Sequence, residues 1–422
     1  MVRRAVLGVV VMATVASCSA GTPTGTTPPP VTGYDVVNVA GGLTLPTNLE
    51  FAPGGRVFVT EKDGRVQTFD DVSDPTPTLS ADLSDEVASF NDLGLLALAV
   101  DPSYPAAPWV YLLYTTDPSG RYGDVCPDPP GAYIDGCPMS ARITRFPVDP
   151  ATGVRNGPEQ VLVADRWCLQ FPTHSVDDLA FLPDRTLVAS AGDGASFSDA
   201  DIGRLGGSFL SPTPRNPCGD PPGGVGATLG APTAEGGALR AQDVLTSSDP
   251  TGFNGAVVRI SPDTGAPVAS NPLVGRGAAD DDAVIAHGLR NPFRLAVRPG
   301  TDEVWISDVG WNAWEELDRI GSATDGVVEN FGWPCREGPT DQPAYTSLGL
   351  DLCGRATAPG APSVPTDPYF AYPHTGAPDT ERCGAGGMSV SGLGFLGHGP
   401  YPAELDGALV FSDYVRGCVW AM

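Results

Sequence analysis

His174 and Asp193 bracket a stretch in which two short runs, Leu179–Phe181 and Leu187–Ala189, alternate with smaller or polar neighbours around a Pro183-Asp184-Arg185 turn. That alternation predicts a β-hairpin. A hairpin returns the chain to its starting edge, so His174, just before the first strand, and Asp193, just after the second, are expected to meet. A neutral imidazole beside a carboxylate suits proton abstraction, and Gly192 and Gly194 on either side of Asp193 let a ligand approach the backbone. The competing account is a polar strand end that caps a turn.

Three further clusters have the same character. In His287-Gly288-Leu289-Arg290-Asn291-Pro292 the guanidinium of Arg290 offers a fork of donors and Asn291 an amide. Arg290 has its own simpler account, a loop arginine satisfied by carbonyls, and His287 reads better as a structural histidine. In Ser307-Asp308-Val309-Gly310-Trp311-Asn312-Ala313-Trp314-Glu315-Glu316, Gly310 allows backbone carbonyls to turn toward an ion, and carbonyl and carboxylate oxygens are what calcium prefers. Asp92, in Asn91-Asp92-Leu93-Gly94, places a carboxylate at a strand entrance.

The elements that must position these residues are strands. Val57–Thr60, Leu95–Asp101, Trp109–Tyr114, Ala141–Phe146, Ala256–Ile260, Leu295–Ile306 and Ala408–Trp420 repeat a theme of strand, Pro- or Gly-containing turn, strand. The units recur at roughly 50 to 80 residues, longer than the usual propeller blade, and Pro/Gly-rich insertions such as 117–138 and 211–237 account for the excess. Repeated antiparallel sheets with few amphipathic helices predict an all-β protein, a β-propeller, with a pair of β-sandwiches as the alternative.

Composition agrees and narrows the partners. The chain has 422 residues, with 53 Gly and 44 Pro, and a formal net charge of −26. A field of that sign repels nucleic acid and anionic lipid and favours neutral or cationic ligands. Lys62 is the only lysine. Arg3-Arg4 followed by an apolar run, Ala5 to Ala16, too short to span a bilayer, predicts a signal peptide over 1–17. Val15-Ala16-Ser17-Cys18 resembles a lipobox, which implies lipid attachment at Cys18, an exported protein in the cell envelope and no other membrane contact. Residues 18–33 are a flexible Ser/Thr/Pro/Gly tether, and 34–422 form the propeller. Setting Cys18 aside leaves eight of the nine cysteines, an even number that suits disulfides in an exported chain. Nearness in sequence favours Cys126–Cys137 and Cys335–Cys353; Cys168–Cys218 and Cys383–Cys418 are one way to pair the rest.

Taken in order, Asp92-Leu93-Gly94-Leu95-Leu96, His174 with Gly192-Asp193-Gly194, Gly288 to Pro292, Asp308-Val309-Gly310 with Trp314-Glu315-Glu316, Asn330-Phe331-Gly332-Trp333-Pro334 and Gly407 to Trp420 resemble the glucose/sorbosone dehydrogenase family. The stretch from Ala238 to Gly265 is similar to the hedgehog-interacting-protein-like branch, which includes binders. The resemblance implies a six-bladed propeller of four-stranded sheets that uses pyrroloquinoline quinone (PQQ) and calcium to oxidise an aldose to a lactone and passes electrons to an external acceptor. It implies His174 as the base, Asp193 as its orienting partner, Arg290, Asn291 and Asp92 toward the cofactor or sugar, and Gly310, Trp311 and Glu316 as the metal set. Two departures stand against it. Val176-Asp177 replaces a Gly-Gly usual after the base, and the basic residues of the last blade are missing, which leaves open a truncated last blade or an incomplete site. The alternatives from other classes are a non-catalytic carbohydrate- or protein-binding propeller and a lactonase-like propeller hydrolase.

Overall fold

The structure, a computed structural model, describes residues 38–117, 138–203, 218, 220, 232–246, 251–276, 281–356, 358, 364–375, 389–397, 399 and 402–422. The expected signal peptide, Cys18, the tether, Cys126, Cys137 and Cys383 lie outside these residues.

Each strand-rich segment closes on itself as an antiparallel sheet. The first sheet runs Pro46–Phe51, Val57–Glu61, Arg65–Phe69 and Thr78–Asp82; the second runs Leu95–Val100, Trp109–Thr116, Ser140–Pro147 and Gln160–Ala164. The third contains Val176–Phe181, Leu187–Ala191, Ala256–Ile260 and Val284–His287, and Glu329–Asn330 joins its edge in parallel. The fourth contains Pro292–Val297, Val304–Asp308, Trp314–Ile320 and Phe370–Pro373, and the fifth Val390–Phe395, Leu409–Asp413 and Cys418–Ala421. A two-stranded ribbon pairs Arg336–Glu337 with Thr340–Asp341.

The first strand of each sheet packs beside the first strand of the next, from the first sheet to the fifth. These inner strands line a central channel of about 890 Å³. Between neighbouring sheets lie separate apolar layers. Leu98, Val110 and Phe58 pack between the first and second sheets; Ala97, Leu113, Leu179 and Val258 between the second and third; Val188, Val257, Leu295 and Ile306 between the third and fourth. Burying each large aliphatic side chain here contributes about 1.5–3 kcal/mol. This is why a strand such as Leu95–Val100 reads as apolar on both faces. No helix among the described residues is long and apolar enough to cross a membrane.

The expectation of six four-stranded blades is corrected. Among the described residues the structure shows an all-β propeller with five blade-sized sheets of four, four, five, four and three strands, plus the small ribbon. The strand units are spaced unevenly because the loops between paired strands differ greatly in length. The second and third strands of the third sheet, adjacent in space, are separated by all the residues from 192 to 255, and the last two strands of the fourth by 321 to 369. The count of six is what the family resemblance implies; spacing this uneven does not itself fix a number of sheets.

Among the described residues Cys168 is bridged to Cys218 and Cys335 to Cys353, and Cys418 is also disulfide-bonded.

Candidate active site

The hairpin forms as its sequence requires. Leu187 pairs with Phe181 and Ala189 with Leu179, and Asp184 Oδ1 accepts the Thr186 amide and hydroxyl at 2.9 and 2.6 Å to close the turn. At the opposite end His174 and Asp193 meet: His174 Nδ1 lies 2.7 Å from Asp193 Oδ1. His174 holds a left-handed backbone, φ 47°, a conformation that costs a non-glycine residue about 1–3 kcal/mol and clusters at functional sites. Gly192 permits it. A Cβ there would stand 2.5 Å from the His174 carbonyl oxygen.

Asp193 is buried and fully engaged. Oδ1 also accepts the Ala195 amide at 2.9 Å, and Oδ2 accepts Trp333 Nε1 at 2.8 Å. Burial alone would push its carboxyl up, but His174, its hydrogen bond and Arg290 outweigh burial and hold it below the usual carboxylate range. An ionised Asp193 can only accept, so His174 Nδ1 carries the proton and donates. Burial first, and then the Arg290 charge, push the His174 imidazole down, against the pull of Asp193. His174 is thus a neutral imidazole near pH 7, and its Nε2 has no partner among the described residues. That is the electronic arrangement of a general base.

Arg290 enters from the loop between the third and fourth sheets. Its carbonyl accepts the Asp193 amide at 2.9 Å, which ties the two loops together. Asp308 Oδ2 and Oδ1 accept the amides of Arg290 and Asn291 at 2.9 and 2.6 Å. Nη1 of Arg290 donates to the carbonyls of Val309 and Gly310 at 2.8 and 2.7 Å. The guanidinium carbon lies 5.6 Å from the Trp333 ring centroid. Nε and Nη2 of Arg290 and the side-chain amide of Asn291 have no partner among the described residues. Asp92 opens at the same mouth, within electrostatic reach of His174, Arg290 and Lys62. Lys62 is half-buried and donates to Ser89 Oγ at 3.3 Å; burial pushes its ammonium down, with Asp92 opposing.

The sequence profile of the Glucose / Sorbosone dehydrogenase family matches residues 43–210 and 233–345. The chain belongs to this family. An uncharacterized protein of Synechocystis sp. is 26% identical over 319 residues, 73% of this chain, and the chain spans 61% of that relative's length. Among solved structures, the PQQ-bound aldose sugar dehydrogenase of Streptomyces coelicolor matches at TM-score 0.56 and 20% identity, over 92% of this chain and 79% of that one. An oxidoreductase of Thermus thermophilus, described as a glucose dehydrogenase, matches at 0.57 and 21%, over 91% and 80%. The apo-form soluble aldose sugar dehydrogenase of Escherichia coli matches at 0.55 and 16%, over 90% and 86%. At these identities the likeness is one of fold.

In this glucose/sorbosone dehydrogenase family member, the structure gathers Asp92, His174, Asp193, Arg290, Asn291 and Gly310 at one mouth. Glu316 stands apart. Its Oε1 accepts the Gly338 amide, and it lies buried in the fourth sheet, paired across strands with Asp308 and close enough to Asp318 for burial and like charge to push its carboxyl well up. The Gly310 carbonyl, one of the expected calcium ligands, already accepts Arg290 Nη1. Among the described residues no group of three or more His, Cys, Asp or Glu is arranged to hold a metal. The donors left open suit an anionic or carbonyl-rich organic group, and the Val309 and Gly310 carbonyls hold the guanidinium.

In the sequence Trp333 stands out only as part of a motif, and nothing local signals its bond to Asp193. The same is true of Arg240, buried, whose Nη1 donates to the Asp193 carbonyl at 3.3 Å, and of Glu337. Their partners are distant in sequence, so no local spacing signals them.

Proposed function

We propose that the protein is an exported sugar dehydrogenase that oxidises an aldose at its anomeric carbon to a lactone with PQQ and passes the electrons to an external acceptor. The observation that carries this reading is the neutral His174, its Nδ1 proton fixed by Asp193 and its Nε2 free, beside the open donors of Arg290 and Asn291. His174 Nε2 takes the proton of the anomeric hydroxyl. Asp193 keeps the tautomer fixed and stabilises the imidazolium as it forms. The unpartnered N–H groups of Arg290 and the Asn291 amide would hold the quinone oxygens. When bound, the quinone supplies the acceptor for the hydride of the anomeric carbon. Asp92 faces the sugar across the mouth. No step is assigned to calcium, because the Gly310 carbonyl is occupied by Arg290.

The test is absorbance titration of PQQ into the purified protein, with calcium and with a chelator, followed by sugar-dependent dye reduction. The reading expects uptake and dye reduction, with His174→Ala reduced about 10²–10⁴-fold in rate and Arg290→Ala weakened mainly in PQQ binding. Wild-type protein that takes up no PQQ refutes it and leaves a carbohydrate- or protein-binding propeller. The lipobox resemblance supports anchoring at Cys18 on the outer side of the membrane; Cys18→Ala should release the protein from the membrane fraction.

A further inference from the structure

Glu337 gathers an unusual number of backbone donors on one oxygen. Its Oε1 accepts the amides of Trp311, Asn312, Ala313 and Trp314 at 2.7, 2.9, 2.9 and 3.2 Å. The side chain is buried. Successive amides that converge on one anion form a concave backbone nest. Here the anion is supplied by the protein itself.

We propose that Glu337 is a positioning residue, an internal anion that turns the carbonyl of Gly310 toward Arg290 and thereby fixes the guanidinium beside His174. In a trans peptide the N–H of one residue and the C=O of the residue before it point in opposite directions. Four amides drawn toward Glu337, from 311 to 314, therefore send four carbonyls, from 310 to 313, the other way. Two of these find partners on that far side. The Gly310 carbonyl accepts Arg290 Nη1 at 2.7 Å, and the Ala313 carbonyl accepts the His374 amide at 2.9 Å. Glycine at 310 is required by the tight fold-back, since a Cβ there would fall 1.6 Å from the Trp314 carbonyl oxygen and 2.8 Å from Glu337 Oε1.

The carboxylate is itself held in place. Gln342 Nε2 donates to Glu337 Oε2 at 2.5 Å and to Asn312 Oδ1 at 3.1 Å, and the Gln342 amide donates to the Cys335 carbonyl at 2.9 Å. Cys335 is bridged to Cys353, and the Arg336–Glu337/Thr340–Asp341 ribbon lies between these anchors. The ribbon thus delivers one carboxylate to one loop, and the loop presents its carbonyls to one arginine. The guanidinium thus takes up the Gly310 carbonyl, one of the groups that the family resemblance gives to calcium.

The consequence for turnover rests on the dehydrogenase reading, but the consequence for Arg290 does not, so the test uses the protein without cofactor. Nitrogen-15 NMR of the arginine guanidinium groups would be recorded for wild type, for Glu337→Gln and for Gln342→Met, with Arg290→Lys used to assign the signal. Thermal melting and the amide spectrum of the inner strands establish that each variant is folded. Wild type should show a hindered, slowly exchanging Arg290 signal. Glu337→Gln keeps the size of the side chain and loses the charge, so exchange at Arg290 should quicken roughly tenfold or more. Gln342→Met leaves the carboxylate but frees it from its tether, and should give a smaller increase. A residue that merely stabilises the loop would lower the melting temperature and leave the Arg290 signal unchanged. An unchanged signal in a folded Glu337→Gln protein overturns the proposal; if that variant does not fold, an unchanged signal in Gln342→Met does so. Absence of PQQ uptake by wild type would refute the dehydrogenase reading while leaving this measurement intact.

Discussion

Replacing Asp193 with asparagine removes one acceptor from a site that has three donors and no spare oxygen. In the native protein Oδ1 receives His174 Nδ1–H and the Ala195 amide, and Oδ2 receives Trp333 Nε1–H. Asparagine has one oxygen and one NH₂ group, so two placements are possible. With its oxygen toward His174, the NH₂ faces the indole N–H, and two buried donors oppose each other; the expected loss is about 1–3 kcal/mol of stability. With its oxygen toward Trp333, the NH₂ opposes the Ala195 amide, again at a cost in stability, and faces His174, which must accept at Nδ1 and move its proton to Nε2. The base is then lost, and the rate should fall by about 10²–10⁴. Acid adds a sign that can be checked. Asp193 has a depressed folded pKa, so its contribution is present above the unfolded carboxylate pKa and is lost as pH falls through the folded value. Wild type should lose stability there and Asp193→Asn should lose less. The assays are urea unfolding across pH, imidazole ¹⁵N NMR to read the tautomer, and sugar-dependent dye reduction. An asparagine variant with wild-type stability, an unprotonated Nε2 and a wild-type rate would refute the three-donor argument.

Asp318 is buried in the fourth sheet with neither carboxylate oxygen hydrogen-bonded, and burial, then Asp308, push its carboxyl well up. A raised folded pKa gives stability that is present below the unfolded pKa and lost as pH rises, so Asp318→Asn should be more stable than wild type at pH 8 and nearly equal at pH 4, by urea unfolding. His287 is buried with its imidazole pushed down to about 4. Wild type should therefore lose on the order of 3 kcal/mol as pH falls from the unfolded value near 6.5 toward 4, and His287→Gln should flatten that part of the profile. Gly192→Ala forces a methyl against the His174 carbonyl and should cost about 1–3 kcal/mol, with loss of the His174–Asp193 hydrogen bond visible in the imidazole spectrum.

What could be read in advance was local. Leu179, Phe181, Leu187 and Ala189 alternate around a Pro-Asp-Arg turn, so the hairpin and the meeting of His174 with Asp193 followed from a period of two. The third strand of that sheet, Ala256–Ile260, is recognisable as a strand, but its pairing with Leu187–Ala191 across a long insertion has no local signal, and the blade number comes from the family resemblance instead. Glu329–Asn330, which joins the sheet edge in parallel, is too short to carry a pattern. At the site, Arg290 and Gly310 stood out by residue type, whereas the carboxylate that orients their contact did not. Glu337 looks like any loop glutamate until the ribbon brings it beneath residues 311–314. Glu316, which the resemblance implies as a metal ligand, lies on the strand Trp314–Ile320 that follows Gly310, and its carboxyl is buried within the fourth sheet.

Lys62, the single lysine, stands beside Asp92 at the mouth with its ammonium pushed down by burial. In chemical terms this is a built-in handle. An amine-directed dye has one side-chain target in the whole chain, next to the place where a ligand enters, so a fluorophore attached there would report occupancy of the mouth without an engineered cysteine among the native disulfides. The same selectivity governs immobilisation. Coupling through side-chain amines to a solid support would orient the molecules alike, with the mouth turned toward the support and shut off from solution; attachment through the abundant surface carboxylates would leave it open.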